Sequence, residues 1–322
     1  MGSSLIVFKE SLFVEIIMSN ELFLPENVEF EELLKTIRHL SWGAADILIS
    51  YSKGEQPPYG FPKALDIQEG GDGPVSAADL SVNQWLLNGL ESSFPAVGWQ
   101  LISEESVKEF QLEEISNKKD WLWILDPLDG TKDFLQGTGE YAVHLALVHE
   151  NTPVLGVVLI PEKEELWFGV IGKGAWCEDR KGNRYPVQFS NRSALNDLIL
   201  VSSRNHRDQR LEKLINYLAL GGNKSVGSVG CKVATVLRGD ADIYISLSGK
   251  SAPKDWDMAA PEAVLKAAGG QFTHADGINL EYNKKNSFEQ RGCLIASHGI
   301  SHELICIKSK NGMSNIDPDF RV

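Results

Sequence analysis

The sequence predicts an α+β protein, and three observations carry that reading. The first third holds apolar residues at helical spacing, the middle third holds short runs rich in Val, Ile and aromatics, and beyond about residue 190 strands and helices alternate. In residues 28–50, Phe30, Leu33, Leu34, Ile37, Leu40, Ala44, Ile47 and Leu48 recur at three and four, which predicts one amphipathic helix. Residues 53–74 are rich in Gly, Pro and Asp, with Pro57-Pro58 and Gly70-Gly71 as breakers, and read as a loop. Residues 80–90 predict a second helix, with Val82, Leu86, Leu87 and Leu90 inward and Asp79 near its start. Residues 121–125, 141–148, 154–160 and 166–171 predict strands paired as antiparallel hairpins, Asn151-Thr152-Pro153 forming one turn. A strand over 198–202, helices over 208–218 and 229–237, a strand over 241–247 and a helix over 256–268 follow, the last closed by Gly269-Gly270 as a left-handed cap. The expected organisation is an N-terminal extension (1–25), a sheet-rich subdomain (26–189), an alternating subdomain (190–310) and a tail (311–322).

The chain has 322 residues, 43% apolar and 23% charged, enough for a sizeable core without disulfides or structural metals. Lys and Arg number 31 against 44 Asp and Glu, a net charge of −13 that argues against nucleic-acid polymers and anionic membranes as partners. The four cysteines are scattered with no C-x-x-C pair, as expected of reduced thiols in a cytoplasmic protein. No apolar run is long enough to span a bilayer. The apolar stretch 4–18 is broken by Lys9, Glu10 and Glu15 and makes a poor signal peptide.

The most informative stretch is Trp121-Leu-Trp-Ile-Leu-Asp126-Pro127-Leu128-Asp129-Gly130-Thr131-Lys132-Asp133-Phe134. An apolar strand runs straight into two acids, and an acid at such a strand's end is costly unless compensated, which cations would do. Pro127 is expected to turn the chain so that Asp126 and Asp129 converge, while Gly130 and Thr131 offer free amides to an anion at a helix start. Glu104 and Glu105 follow Leu101-Ile102, Asp79 follows an apolar segment, and Asp257 begins a helix that it could equally cap. Taken together these acids read as an all-oxygen cage for hard cations such as magnesium.

Other chemistries fail on residue type. No H-x-H or H-E-x-x-H exists, and His298 and His302, four apart, are expected on the surface. Gly249-Lys250-Ser251 lacks the earlier glycine of a phosphate loop, and Gly227-Ser228-Val229-Gly230 reads as a tight turn or a ligand loop.

The segments Pro74-Val-Ser-Ala-Ala-Asp79, Ser103-Glu104-Glu105-Ser106, Asp126-Pro-Leu-Asp-Gly-Thr131 and Trp256-Asp257-Met-Ala-Ala with Ala268-Gly-Gly270 together resemble the inositol monophosphatase superfamily of metal-dependent, lithium-sensitive phosphatases. Gly130 to Phe134, the Tyr141-Ala-Val run, Gly227 to Lys232 and Ser202-Ser-Arg204-Asn-His206 look most like its 3'(2'),5'-bisphosphate nucleotidase branch. The resemblance implies a layered αβαβα sandwich with the site between the subdomains. It implies one magnesium on Glu104, Asp126 and the Leu128 carbonyl, a second on Asp126, Asp129 and Asp257, and a third, weaker ion placed through waters by Asp79 and Glu104. Thr131, paired with Asp79, would take the proton of the attacking water. Gly130, Thr131, Lys132, Ser228 and Lys232 would contact a small phosphorylated nucleotide in a monomer or homodimer, with lithium as an inhibitor. Lys250 and Lys254, close before the Trp-Asp motif, suit a second phosphate, or else are solvated loop charges; Lys232 is otherwise a snorkelling surface lysine. An inositol or sugar phosphatase, and a catalytically silent phospho-ligand sensor, remain alternatives.

Overall fold

The structure is a computed structural model, and it describes residues 24–70, 73–109, 119–205, 209–284 and 287–320. The expected extension 1–25, up to residue 23, and His206 of the nucleotidase-like run lie outside the described residues. In chain order the elements are α1 (Phe30–Ser52), β1 (Ile67–Gly70), β2 (Gly73–Ser76), α2 (Ala77–Ser93), β3 (Gln100–Ser103), α3 (Glu104–Glu109), β4 (Trp121–Asp129), α4 (Thr131–Leu135), β5 (Ala142–His149), β6 (Thr152–Ile160), β7 (Glu165–Val170), β8 (Gly174–Glu178) and β9 (Arg184–Pro186). There follow β10 (Ile199–Ser203), α5 (Gln209–Leu218), β11 (Gly222–Val226), α6 (Val229–Leu237), β12 (Ile243–Leu247), α7 (Asp255–Ala267), β13 (Gln271–His274), β14 (Cys293–Ser297) and α8 (His302–Ile316).

The expected helices and strands form, and three differences stand out. Residues 53–74 are not all loop, because β1 and β2 pair as a small antiparallel hairpin leading into α2. Residues 311–316, expected in a tail, complete α8. His298 and His302 are buried rather than on the surface: His302 bonds Thr273 and Ser297, and His298 packs against Asp242 and the Arg192 carbonyl.

The larger sheet runs β3-β4-β5-β6-β7-β8-β9, parallel only between its first two strands, and the smaller runs β11-β10-β12-β14-β13. Each strand of the larger sheet alternates its apolar residues between two faces. One face, with Trp123, Leu125, Val143, Leu145 and Leu155, packs under α1 and α2. The other, with Leu122, Ile124, Ala146 and Val158, meets α6 and α7, whose far side meets the smaller sheet through Val201, Tyr244 and Phe272. Leu200, Ile243 and Ile295 turn from that sheet onto α5 and α8. The result is the layered helix-sheet-helix-sheet-helix order. Gly156 and Gly169 let α7 lie directly on β6 and β7, since a Cβ there would fall 2.5 Å from the Ala260 carbonyl oxygen and 2.3 Å from Val264 Cα. That close seat fixes the height at which α7 begins, and so the position of Asp257.

Candidate active site

The paired acids converge through a bulge rather than a turn. Strand β4 continues past Pro127, but Asp126 faces His144 and Asp129 faces Ala142, so three steps on β4 match two on β5. Residues three apart on a regular strand point to opposite faces. The extra residue restores parity and puts both acids on one face, and proline, with no N–H to contribute, sits in the interruption at no cost in ladder bonds. Gly130 then takes φ +93°, a left-handed conformation suited to glycine, and starts α4 with Thr131.

Oxygens of Asp126, Asp129 and Asp257 lie within 4.8 Å of one another. Burial and neighbouring carboxylates hold Asp126 and Asp257 well above the usual carboxylate range. Asp126 Oδ1 accepts from the Leu128 amide at 3.0 Å, while its buried Oδ2 has no hydrogen-bond partner. Asp129 Oδ2 accepts from Ser228 Oγ at 2.6 Å, the Val229 amide at 2.5 Å and the Gly230 amide at 3.2 Å. The Gly227–Gly230 segment is therefore the N-terminus of α6, closed on Asp129, and it fixes that carboxylate beside Asp126 and Asp257. Asp257 also caps its helix, Oδ2 accepting from the Lys254 amide at 2.5 Å. Crowded acids, an orphaned buried oxygen and an all-oxygen donor set fit a hard divalent cation.

A cavity of about 710 Å³ opens here. Glu104, Asp126, Asp129 and Asp257 line it together with Leu128, Gly130, Thr131 and Lys132. Ser228 and Lys232, at the start of α6 and within it, and Lys250 and Lys254, between β12 and α7, line it as well. Of the acids that the sequence groups into a cage, Glu104, Asp126, Asp129 and Asp257 reach the cavity, while Asp79 and Glu105 are buried and do not line it. Thr131 Oγ1 lies 3.0 Å from Asp79 Oδ1 and 3.2 Å from the Leu128 carbonyl oxygen. Asp79 Oδ2 accepts from the Ser76 amide at 2.8 Å and Ser76 Oγ at 2.6 Å, and burial pushes its pKa up to about 6 against those bonds.

Lys232 is neither a solvated nor a snorkelling lysine. It is buried, donates to the Gly227 carbonyl at 2.9 Å and lies 5.3 Å from the centre of the Tyr244 ring; burial lowers its pKa against the pull of Asp129. Lys254 is paired with Glu289 at 3.1 Å. Three features were not singled out in the sequence. Asp133 accepts from Arg204 and Asn205 at 2.5 and 2.8 Å, and Arg204 also meets Glu140 at 2.6 Å, a clamp joining the α4 loop to the end of β10. His144 is buried with Nε2 3.4 Å from Asp129 Oδ2, and burial holds it below its usual pKa. Arg210 lines the cavity from α5. Asp133, Arg204 and Asn205 carry a signal in the sequence, as parts of the nucleotidase-like segments; His144 looks like an ordinary strand residue.

Residues 29–314 match the profile of the inositol monophosphatase family. The chain belongs to that family. It is accordingly a phosphatase. The 3'(2'),5'-bisphosphate nucleotidase CysQ of Salmonella typhimurium is 31% identical over 260 residues, covering 81% of this chain and 98% of that protein. CysQ of Bacteroides thetaiotaomicron, a bacterial member of the same family, superposes with a TM-score of 0.66 at 27% identity, covering 84% of this chain and 98% of the other. An IMPase of Thermotoga maritima shares the fold, with a TM-score of 0.69 at 23% identity over 88% of this chain and 98% of the other. Among the described residues no helix is long and apolar enough to cross a membrane.

Proposed function

We propose that this phosphatase removes the 3'-phosphate of adenosine 3',5'-bisphosphate, with magnesium bound by Glu104, Asp126, the Leu128 carbonyl, Asp129 and Asp257. The observation that carries the reading is the Thr131 hydroxyl 3.0 Å from Asp79, at the edge of the acid cluster, in a cavity lined by lysines from the second subdomain. When bound, magnesium supplies Lewis acidity to the phosphoryl oxygens and to water. Asp79 orients the threonine: its hydroxyl proton is turned to the carboxylate and passes to it as a Thr131 lone pair accepts a proton from the attacking water. Thr131 alone is too weak a base, so the two act as a pair. The α6 cap holds Asp129 rigid, and the amides at Gly130 and Thr131 face the phosphate being transferred. The lysines suit a second phosphate better than a polyol, and the bisphosphate nucleotidases among the relatives support the same choice. The reading carries inhibition by lithium at a weak cation position. It is tested by single turnover in 18O-labelled water. The expected products are 5'-AMP and phosphate carrying one solvent oxygen; unlabelled phosphate, or 3'-AMP as product, would overturn it.

A further inference from the structure

We propose that Arg210 is a specificity-determining residue that reads the second phosphate of the substrate, its guanidinium held in place by the C-terminal segment through Phe320. The inference rests on the bisphosphate reading above. Arg210 sits on the first turn of α5 and lines the cavity near Leu247, Gly249 and Lys250, where the chain leaves β12. One of its terminal nitrogens donates to the Ser248 carbonyl at 3.0 Å, and the other to Asp317 at 3.2 Å. Ser248 is itself fixed, its amide donating to the Gly292 carbonyl at 3.0 Å and its Oγ accepting from the Gly292 amide at 2.9 Å. The guanidinium carbon lies 5.2 Å from the centre of the Phe320 ring, beyond the end of α8.

A long cation held on two edges and one face has surrendered its rotamer freedom before any ligand arrives, so an anion that binds it does not bear that cost. A planar fork also matches phosphate oxygens two at a time, which an ammonium cannot do. The lysines of the cavity are placed differently. Lys254, paired with Glu289 as Arg210 is with Asp317, is an ammonium without the planar fork, and Lys232 is buried close to the charges of Asp129, Asp133 and Asp257, at the cation end. Arg210 therefore adds to Lys250, on the β12 exit loop itself, a planar cation that is preorganised and attached to the same loop. Its partner Asp317 is 107 residues away in sequence, which is why the pattern around Arg210 shows only another charge on an amphipathic helix.

The test measures phosphate release by the full chain from adenosine 3',5'-bisphosphate and from adenosine 3'-monophosphate, which keeps the scissile ester and lacks the distal phosphate. Arg210→Lys should raise KM for the bisphosphate about tenfold more than KM for the monophosphate, with kcat on the bisphosphate changed by less than about threefold. Phe320→Ala should shift the same ratio about threefold and add nothing further in the Arg210→Lys background, as expected of a residue acting through another. Monophosphate turnover reports folding of each variant. Equal losses on both substrates, or full additivity of the two changes, would overturn the inference alone. A wild-type chain with no preference for the bisphosphate would overturn the reading beneath it as well.

Discussion

Asp129 has two tasks in the structure, and replacing it by Asn and by Ala separates them. Its Oδ2 accepts three hydrogen bonds at the N-terminus of α6, and its carboxylate also has an oxygen within 4.8 Å of oxygens of Asp126 and Asp257. In Asp129→Asn the carboxamide oxygen takes over the three donors, while the amide nitrogen replaces an anionic oxygen in the cluster and cannot hold a cation. One charge is removed from a group whose members raise each other's pKa, so the metal-free protein should melt at or above the wild-type temperature. Asp129→Ala strips the helix end: a lost cap costs about 1–2 kcal/mol and buried donors left unsatisfied add about 1–3 kcal/mol. With an unfolding entropy of about 2 cal/mol/K per residue, a total of about 2–5 kcal/mol lowers the melting temperature of a chain of 322 residues by about 3–7 °C. Both variants should lose on the order of 10³-fold in turnover, about 4 kcal/mol of transition-state stabilisation. The assay pairs calorimetry in EDTA with phosphate release in magnesium. Asp129→Asn melting as low as Asp129→Ala, or turning over within tenfold of wild type, would refute this division.

Thr131→Ala should bind magnesium as wild type does, by calorimetric titration, and lose about 10²-fold or more in kcat; weakened magnesium affinity with normal turnover at saturation would contradict its assigned task. Lys250→Ala with Lys254→Ala should raise KM for the bisphosphate about tenfold, with the larger share from Lys250 because Lys254 is already paired with Glu289; equal losses on a monophosphate would count against the role. Asp126 has a raised pKa in the folded state, so its contribution to stability is whole below the ordinary carboxylate pKa of about 4 and is lost as pH rises through the raised value. Metal-free Asp126→Asn should therefore out-melt wild type by a margin that widens from about pH 5 to pH 8, and a margin independent of pH would show that the acid is not strained by burial.

How much was legible follows from how local each feature is. Asp126-Pro127-Leu128-Asp129 announces itself because an apolar strand ending in two acids is uncommon, and Glu104 and Asp257 stand out by the same reasoning. The bulge was misread as a turn: proline's lack of a donor excludes it from a regular ladder, and sequence alone does not say whether the chain bends or the pairing slips. Lys232 stands out in the sequence as a candidate nucleotide contact or a snorkelling lysine, but its burial is not legible because its compensation is the Gly227 carbonyl, the Tyr244 ring and the acid cluster, which only the fold assembles. The burial of His298 and His302 is not legible because their partners, Asp242 just before β12 and Thr273 on β13, are distant in sequence. The β1–β2 hairpin was hidden by its glycines, which suit a tight reversal as well as a loop. The hydrophobic periods that built the helices and the central strands are properties of a few neighbouring residues, and those were readable throughout.

Metal-dependent hydrolysis of the bisphosphate is tested most directly by phosphate release from adenosine 3',5'-bisphosphate and inositol 1-phosphate side by side, in magnesium, after EDTA, and after magnesium is restored. Release from the bisphosphate should run ahead of release from the inositol ester, be abolished by EDTA and recover with magnesium. Release that survives EDTA, or a preference for inositol 1-phosphate, would contradict it.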